Sequence, residues 1–147
     1  MSSRKRPYPA NEVFTVGYEG RDVEELVALL RSRGVQTLVD VRLNAISRRR
    51  GFSKTSLSES LARAGIRYVH ERALGNPKEN RDAYRSGKES AHRRFERHLE
   101  AHGADAVARV SDLVRSTPTA LLCVEREPHS CHRTAVASQL GASVVSL

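Results

Sequence analysis

The sequence predicts a single three-layer α/β domain, in which a mostly parallel five-stranded sheet carries helices on both faces. Its 147 residues suit one domain with a core of its own. Short aliphatic runs, apolar along their whole length, are typical of strands that are buried on both faces. These runs alternate with helical patterns, as parallel crossover connections require. We therefore expect residues 13–147 to form this domain, after a flexible basic segment over residues 1–12.

Five runs of aliphatic and β-branched residues predict the strands. We expect the last run to lie at an edge of the sheet, where it is either parallel or antiparallel. The runs are Val13–Gly17, Gln36–Val41, Ile66–His70, Ala120–Glu125 and Ser143–Leu147.

Capping signals predict where the first two helices begin. Asp22 followed by Glu25 can form a reciprocal capping box, and Ser56 with Glu59 repeats that spacing. Three further helices are expected, two of them before Pro118 and the fourth strand and one that ends at Gly141. The five expected helices are Asp22–Arg33, one that follows Ser56 and ends at Gly65, one near Glu89–Ala101, one over Ala104–Ser116, and Cys131–Leu140.

The net charge of +8 is concentrated in the middle of the chain. Between Arg42 and Arg97 there are 15 Lys and Arg against 6 Asp and Glu, an excess of 9, whereas the remainder has 10 against 11. Such a concentration attracts phosphates, above all those of nucleotides and nucleic acid. The alternative is a solvated basic face with no partner.

Composition also bears on the compartment. No apolar run approaches the roughly 18 residues that span a bilayer. Met1–Pro9 has basic residues but no apolar stretch behind them, so no secretory signal is predicted. Two cysteines cannot form a disulfide framework. We expect a cytoplasmic protein without a membrane partner, and the oligomeric state stays open.

Polar, charged or glycine residues follow the predicted strands, at the edge where parallel sheets bind ligands. Gly17–Gly20 lets the backbone approach a ligand, and within it Tyr18 can stack on a ring while Glu19 supplies a carboxylate. His70 ends the third strand. We count Gly17, Tyr18, Glu19 and His70 among the expected ligand-binding groups.

The segment Cys131-His132-Arg133 opens the last predicted helix, where backbone N–H groups favour anions. Arg133 can anchor an anion there, and Cys131 can act as a nucleophile with His132 as its acid–base partner. Adjacent residues of a helix point about 100° apart, so these two side chains need not touch. The alternatives are a small buried thiol and a capping histidine. Cys123 and His129 add potential ligands without zinc spacing, so no cofactor is predicted and a divalent metal stays open.

Asp40 and Arg42 lie on the same side of the second strand and can form an ion pair. The pair either holds the following loop in place or leaves Asp40 as a catalytic carboxylate. The loop itself is a candidate phosphate-binding segment with cationic and hydroxyl groups. These are Arg42, Ser47, Arg48, Arg49, Arg50, Ser53 and Lys54. Farther along, Arg93, Arg94 and Arg97 lie on a basic helix that can contact nucleic acid.

Taken together, these motifs resemble the family of domain of unknown function 488. The combination of Asp-Val-Arg after one strand with Cys-His-Arg after another is specific, whereas either alone is weak. The resemblance implies a small α/β domain with the motifs gathered at one site. The matching pieces are Thr15–Gly20, Leu38–Arg42, Ser47, Gly51–Lys54, Gly65–Tyr68, Leu74-Gly75, Leu121–Glu125 and Cys131–Arg133.

We therefore expect an enzyme, a hydrolase or group transferase, that acts on a phosphate-bearing substrate such as a nucleotide or nucleic acid. The expected catalytic residues are Asp40, Glu125, Cys131 and His132. The expected substrate-binding or anion-binding residues are Gly17, Tyr18, Glu19, Arg42, Ser47, Lys54, His70 and Arg133. The rival hypothesis is a non-catalytic nucleic-acid-binding module that uses the basic segment 42–97, in particular Arg48, Arg49, Arg50, Arg93, Arg94 and Arg97. A structural protein is the third class.

Overall fold

A computed structural model describes residues 12–125 and 132–147. Within them the chain forms one five-stranded sheet with helices on both faces, which confirms the predicted fold class. The strands are β1 Glu12–Gly17, β2 Thr37–Asp40, β3 Arg67–His70, β4 Thr119–Cys123 and β5 Ser143–Ser146. The helices are α1 Val23–Ser32, α2 Lys54–Arg63, α3 Lys78–Arg85, α4 Glu89–His102, α5 Ala104–Ser116 and α6 Arg133–Leu140, with a 3₁₀ turn at Arg72–Leu74.

The sheet is parallel throughout, in the order β3-β2-β4-β1-β5. β4 is inserted between β1 and β2, so that Leu121 pairs with Thr15 on one side and with Val39 on the other. β5 lies at the edge, as predicted, and is parallel to β1. The five predicted strands are all present, and their ends differ from the prediction by no more than two residues.

Each face of the sheet has its own core. The side chains of alternate strand residues point to opposite faces, so each inner strand supplies both cores. α1 and α2 cover one face, over a cluster that includes Phe14, Val16, Leu26, Leu30, Leu38, Leu57, Leu61 and Leu122. α3 to α6 cover the other, over a cluster that includes Val13, Val39, Tyr84, Phe95, Val110, Leu121 and Val136. Burial on both faces holds for β1, β2 and β4, whereas the edge strands β3 and β5 are partly exposed.

The predicted capping box of α1 is confirmed, but that of α2 is wrong. The backbone N–H of Glu25 donates to Asp22 Oδ1, and the N–H of Asp22 donates to Glu25 Oε1, each at 2.8 Å. α2 begins at Lys54, so Ser56 already lies inside the helix. The N-cap residue is Ser53, whose hydroxyl does not cap the helix and instead accepts a hydrogen bond from the Ser47 N–H at 3.0 Å.

Several details at the ends of the chain also differ from the sequence prediction. Residue 12, assigned above to the N-terminal segment, is the first residue of β1. The last described helix begins at Arg133, and the predicted start at Cys131 lies outside the described residues. In the two described ranges, no helix is long and apolar enough to cross a membrane.

Candidate functional site at the carboxyl edge of the sheet

A cleft opens where β2 and β4 end side by side. The helices that follow these two strands, α2 and α6, pack on opposite faces of the sheet, so the loops after the strands diverge. Crevices of this kind are where open parallel sheets bind ligands. The cleft measures about 600 Å³ including its open mouth. Its lining includes Leu43, Asn44 and Ile46 after β2, Val124 and Glu125 after β4, Asn76, Arg81, Tyr84 and Arg85 at α3, and His132.

The two walls of the cleft, one formed by α3 and the other by the loop after β2, come into close backbone contact at Gly75. A Cβ atom at Gly75 would lie only 2.4 Å from the Cα of Leu43. The backbone of Gly75 has an ordinary φ of −77°, so the need for glycine is one of space alone. On the α3 side, Nε of Arg81 donates to the carbonyl of Asn76 at 3.2 Å, which holds Arg81 beside the cleft.

Besides Arg42, which pairs with the buried Asp40, three charged residues line the cleft: Arg81, Arg85 and Glu125. Arg81 and Arg85 are four residues apart on α3, so they lie on the same face of the helix. Nη2 of Arg85 is 3.1 Å from Oε2 of Glu125. The side chain of Glu125 is 16% exposed and that of Arg85 is 56% exposed. Two guanidinium groups against one carboxylate leave the mouth positively charged.

His132 lies at the inner end of the cleft and is buried. Its Nε2 is 2.7 Å from the carbonyl oxygen of Val41, so Nε2 carries the proton and donates. The other ring nitrogen, Nδ1, lies 3.6 Å from Sγ of Cys123. Burial lowers the pKa of His132 to about 4, and the nearby charges of Arg81 and Arg133 act in the same direction. His132 is therefore neutral near pH 7.

Asp40 and Arg42 form the predicted ion pair, in the interior of the protein. Oδ1 of Asp40 accepts from Nε of Arg42 at 2.8 Å, and Oδ2 accepts from its Nη2 at 2.6 Å. The hydroxyl of Tyr68 also donates to Oδ2, at 2.5 Å. Burial and this hydrogen bond raise the pKa of Tyr68 above its ordinary value. The Asp40 side chain is fully buried, so it presents no surface to the cleft.

The Arg42 guanidinium fastens the loop that forms the cleft wall. Its Nη1 donates to the carbonyl of Phe52 at 2.7 Å, which joins the end of β2 to the far end of the loop. Burial alone would lower the pKa of Arg42, but the hydrogen bonds and charge of Asp40 outweigh it and the pKa is raised. Of the two hypotheses for this pair, the geometry matches the loop-anchoring one. Arg42 is among the residues that line the cleft, but its side chain is only 4% exposed and its Nε, Nη1 and Nη2 all donate to acceptors within the protein.

The predicted ring-stacking residue Tyr18 belongs to the core. Its ring stacks on that of Phe52, with centroids 4.3 Å apart, and the guanidinium of Arg42 lies 5.4 Å from its centroid. The burial of Tyr18 is not visible in the periodicity of the sequence, because its partner Phe52 lies on a loop.

Other predicted ligand-binding residues lie around the strand ends without lining the cleft. Nε2 of His70 is 2.8 Å from the carbonyl of Arg42, and Oγ of Ser47 accepts from the Arg49 N–H at 3.1 Å. Gly17 is paired with Cys123 in the sheet. Glu19 and Lys54 are exposed.

Arg133 and Cys131 were predicted as an anion anchor and a nucleophile. The guanidinium of Arg133 is fully buried and donates to the carbonyl of Glu125, so it positions the backbone of Glu125. Cys131 and the potential ligand His129 lie outside the described residues. Over residues 12–125 and 132–147, no three His, Cys, Asp or Glu side chains come together as a metal site requires.

The predicted nucleic-acid contacts are exposed, but several are already engaged. Arg48, Arg49 and Arg50 lie on the loop between β2 and α2, where Arg49 donates to the carbonyl of Arg21. On α4, Arg93 pairs with Glu89 at 3.2 Å, and Arg94 donates to Oδ1 of Asn80 at 2.9 Å. Arg97 is also exposed on α4.

The residues of the cleft wall opposite β4 were not predicted as site residues. Arg81 and Arg85 were counted only as part of a basic stretch, and α3 was not predicted. A proline and two arginines spaced by four do not mark a helix by themselves, and the segment has no apolar stripe. Asn44, Ile46 and Asn76 carry no local signal, because only the fold brings them together.

Of the comparisons with known proteins, only the one with protein families gives a match. No curated protein and no solved structure matches this chain. The model of the family described as domain of unknown function DUF488 matches residues 22–140, which include all six helices and the loops that line the cleft. This span is most of the chain and agrees with the resemblance seen in its motifs. The chain belongs to the DUF488 family.

Proposed function

We propose that this protein is an enzyme, a hydrolase or group transferase, that binds a phosphate-bearing substrate in the cleft between the ends of β2 and β4. One observation carries the proposal. Arg81 and Arg85 lie on one face of α3 beside Glu125, in a cleft at the point of the sheet where ligands bind in folds of this type.

The two arginines suit a phosphate because a guanidinium offers paired donors to its oxygens. Arg81 is held through Nε alone, so a ligand at its Nη atoms breaks no hydrogen bond to the described residues. Arg85 pairs with Glu125, and a phosphate would compete with that carboxylate. Substrate binding would then release Glu125 next to the bound phosphate.

Glu125 is the group for proton transfer in this proposal. Among the described residues that line the cleft it has the only carboxylate, and it is largely buried beside a cation. A carboxylate in this position can accept the proton of an attacking water or hydroxyl group. His132 is neutral and donates to Val41, so its role is to hold the end of β2 against the start of α6.

Binding is tested by calorimetry with inorganic phosphate and pyrophosphate. An Arg81→Gln/Arg85→Gln double variant should bind at least about tenfold more weakly, since a hydrogen bond to a charged group contributes about 1.5–3 kcal/mol. The matched control is Arg93→Gln/Arg97→Gln, which removes the same charge from α4, outside the cleft lining. Equal losses in both variants would mean that only net charge matters, and the proposal would fail.

Catalysis is tested separately, with 4-nitrophenyl phosphate and bis(4-nitrophenyl) phosphate as substrates. We expect Glu125→Gln to abolish turnover while phosphate binding persists, because the amide keeps the shape of the carboxylate and loses its basicity. Full turnover in this variant would exclude Glu125 as the base.

A second candidate, non-catalytic binding of nucleic acid, is favoured by the exposed Arg48 and Arg50. They lie on the loop whose first residues form a wall of the cleft. Binding of a single-stranded oligonucleotide should weaken steeply with salt, and Arg48→Gln/Arg50→Gln should reduce both affinity and salt slope. Arg49 is left in place because it donates to the carbonyl of Arg21. Absence of binding at low salt would exclude this candidate.

A further inference from the structure

The cleft has an apolar side as well as a cationic one. Among the described residues, three large hydrophobic side chains are exposed: Ile46 at 78%, Val144 at 43% and Val124 at 37%. Ile46 and Val124 both line the cleft, whereas Val144 lies on the edge strand β5. Exposed apolar side chains that line the same cleft indicate a ligand with an apolar part.

The two apolar residues come from different walls. Ile46 lies on the loop after β2, and Val124 directly follows β4, the neighbouring strand. A flat ring entering the crevice can therefore contact both. The same cleft offers Arg81 and Arg85 to an anion, so its chemistry matches a molecule that joins a ring to a phosphate.

We propose that the phosphate-bearing substrate is a single nucleotide unit, whose base packs against Ile46 and Val124 while its phosphate binds Arg81 and Arg85. This inference rests on the proposed function and narrows it. The apolar pair and the arginine pair line the same cleft, so one unit that joins a base to a phosphate can contact both. The base-bearing unit is either a free nucleotide or the terminal nucleotide of a strand.

An amide in the lining favours a base over an acyl chain as the apolar part. Oδ1 of Asn44 accepts a hydrogen bond from Nη1 of Arg72 at 2.9 Å, which orients the amide so that Nδ2 remains a donor. An acyl chain would cover that donor without replacing its hydrogen bond to water, at a cost in free energy. The edge of a base carries acceptors that satisfy it.

The test compares four probes by calorimetry: inorganic phosphate, ribose 5-phosphate, AMP and UMP. Burial of roughly 55 Å² of apolar surface between the base and these two side chains is enough to tighten binding about tenfold. We therefore expect AMP and UMP to bind about tenfold tighter than ribose 5-phosphate. An Ile46→Ser/Val124→Ser double variant should lose this difference and keep its affinity for ribose 5-phosphate. Val144→Ser, the matched control at the third exposed hydrophobic residue, should bind all probes like the wild type.

The outcomes separate this inference from the proposed function. Equal affinities for AMP and ribose 5-phosphate would overturn the nucleotide assignment and leave phosphate binding intact. Absence of binding by every probe would overturn both. A 5′-phosphorylated oligonucleotide distinguishes the two sources: displacement of AMP at comparable affinity indicates the end of a strand, and failure to displace AMP indicates a free nucleotide.

Discussion

Replacing either Asp40 or Arg42 by Ala should destabilise the protein by about 3–5 kcal/mol, the usual cost of leaving a buried charge without its partner. Asp40 is fully buried and Arg42 nearly so. The Asp40 carboxylate accepts four hydrogen bonds: from the N–H, Nε and Nη2 of Arg42 at 3.1, 2.8 and 2.6 Å, and from the Tyr68 hydroxyl at 2.5 Å. Either single substitution removes one charge and leaves the other in the interior.

The double variant Asp40→Ala/Arg42→Ala should lose little more than one single variant. A single substitution leaves the remaining charge buried without a partner. The second substitution removes that charge, and with it the free-energy cost of burying it. We therefore expect a coupling free energy of about 3 kcal/mol. Tyr68→Phe is the milder variant, since it deletes one hydrogen bond to a charged group and should cost about 1.5–3 kcal/mol.

The free energies of unfolding come from urea denaturation followed by circular dichroism at pH 7. Glu89→Ala is the matched control, because Glu89 forms an ion pair with Arg93 on the surface of α4, at 3.2 Å and with both side chains more than half exposed. That pair should contribute no more than about 0.5 kcal/mol. The reasoning is refuted if Asp40→Ala costs no more than Glu89→Ala, or if the two single effects simply add.

Three further predictions concern local features. Gly75→Ala should cost about 1–3 kcal/mol in urea unfolding, because its Cβ would meet the Cα of Leu43 at 2.4 Å; wild-type stability would show that the walls can separate freely. Because burial lowers the pKa of His132 from 6.5 to about 4, stability should be complete above pH 6.5 and fall by up to about 3 kcal/mol as the pH drops to 4. His132→Gln should flatten this profile, and an unchanged slope would contradict the assignment. Asp22→Ala should cost about 1 kcal/mol and Ser56→Ala almost nothing, since only Asp22 accepts a capping hydrogen bond; thermal unfolding that ranks them in reverse would disprove this.

Features that depend on neighbouring residues were predictable from the sequence. The inner strands are covered on both faces, so almost all of their residues are apolar. Each of these strands is therefore visible in the sequence as a continuous apolar run. The capping box of Asp22 and Glu25 lies within one helical turn. Asp40 and Arg42 are two residues apart in an extended chain, so their side chains share a side.

Features that depend on distant residues were not predictable. Ser53 is the N-cap of α2 in place of the predicted Ser56, and its hydroxyl is bonded to the Ser47 N–H across the loop. Tyr18 is buried because Phe52, from a loop, stacks on it. α3 was not predicted because it has no apolar stripe: its only apolar residues, Ala83 and Tyr84, are adjacent in the chain, and both pack against the core.

The sequence by itself determined the fold class, the positions of the strands and the edge of the sheet at which to look for a site. It did not determine the strand order, in which β4 lies between β1 and β2 although about eighty residues separate β2 from β4. That order places Glu125 and Val124 across a crevice from Ile46, and the approach at Gly75 brings in Arg81 and Arg85. The apolar pattern of a strand in the sequence shows only whether its residues are buried. Which strands lie next to each other depends on how whole helices pack on the two faces of the sheet. The cleft is therefore a property of the tertiary structure.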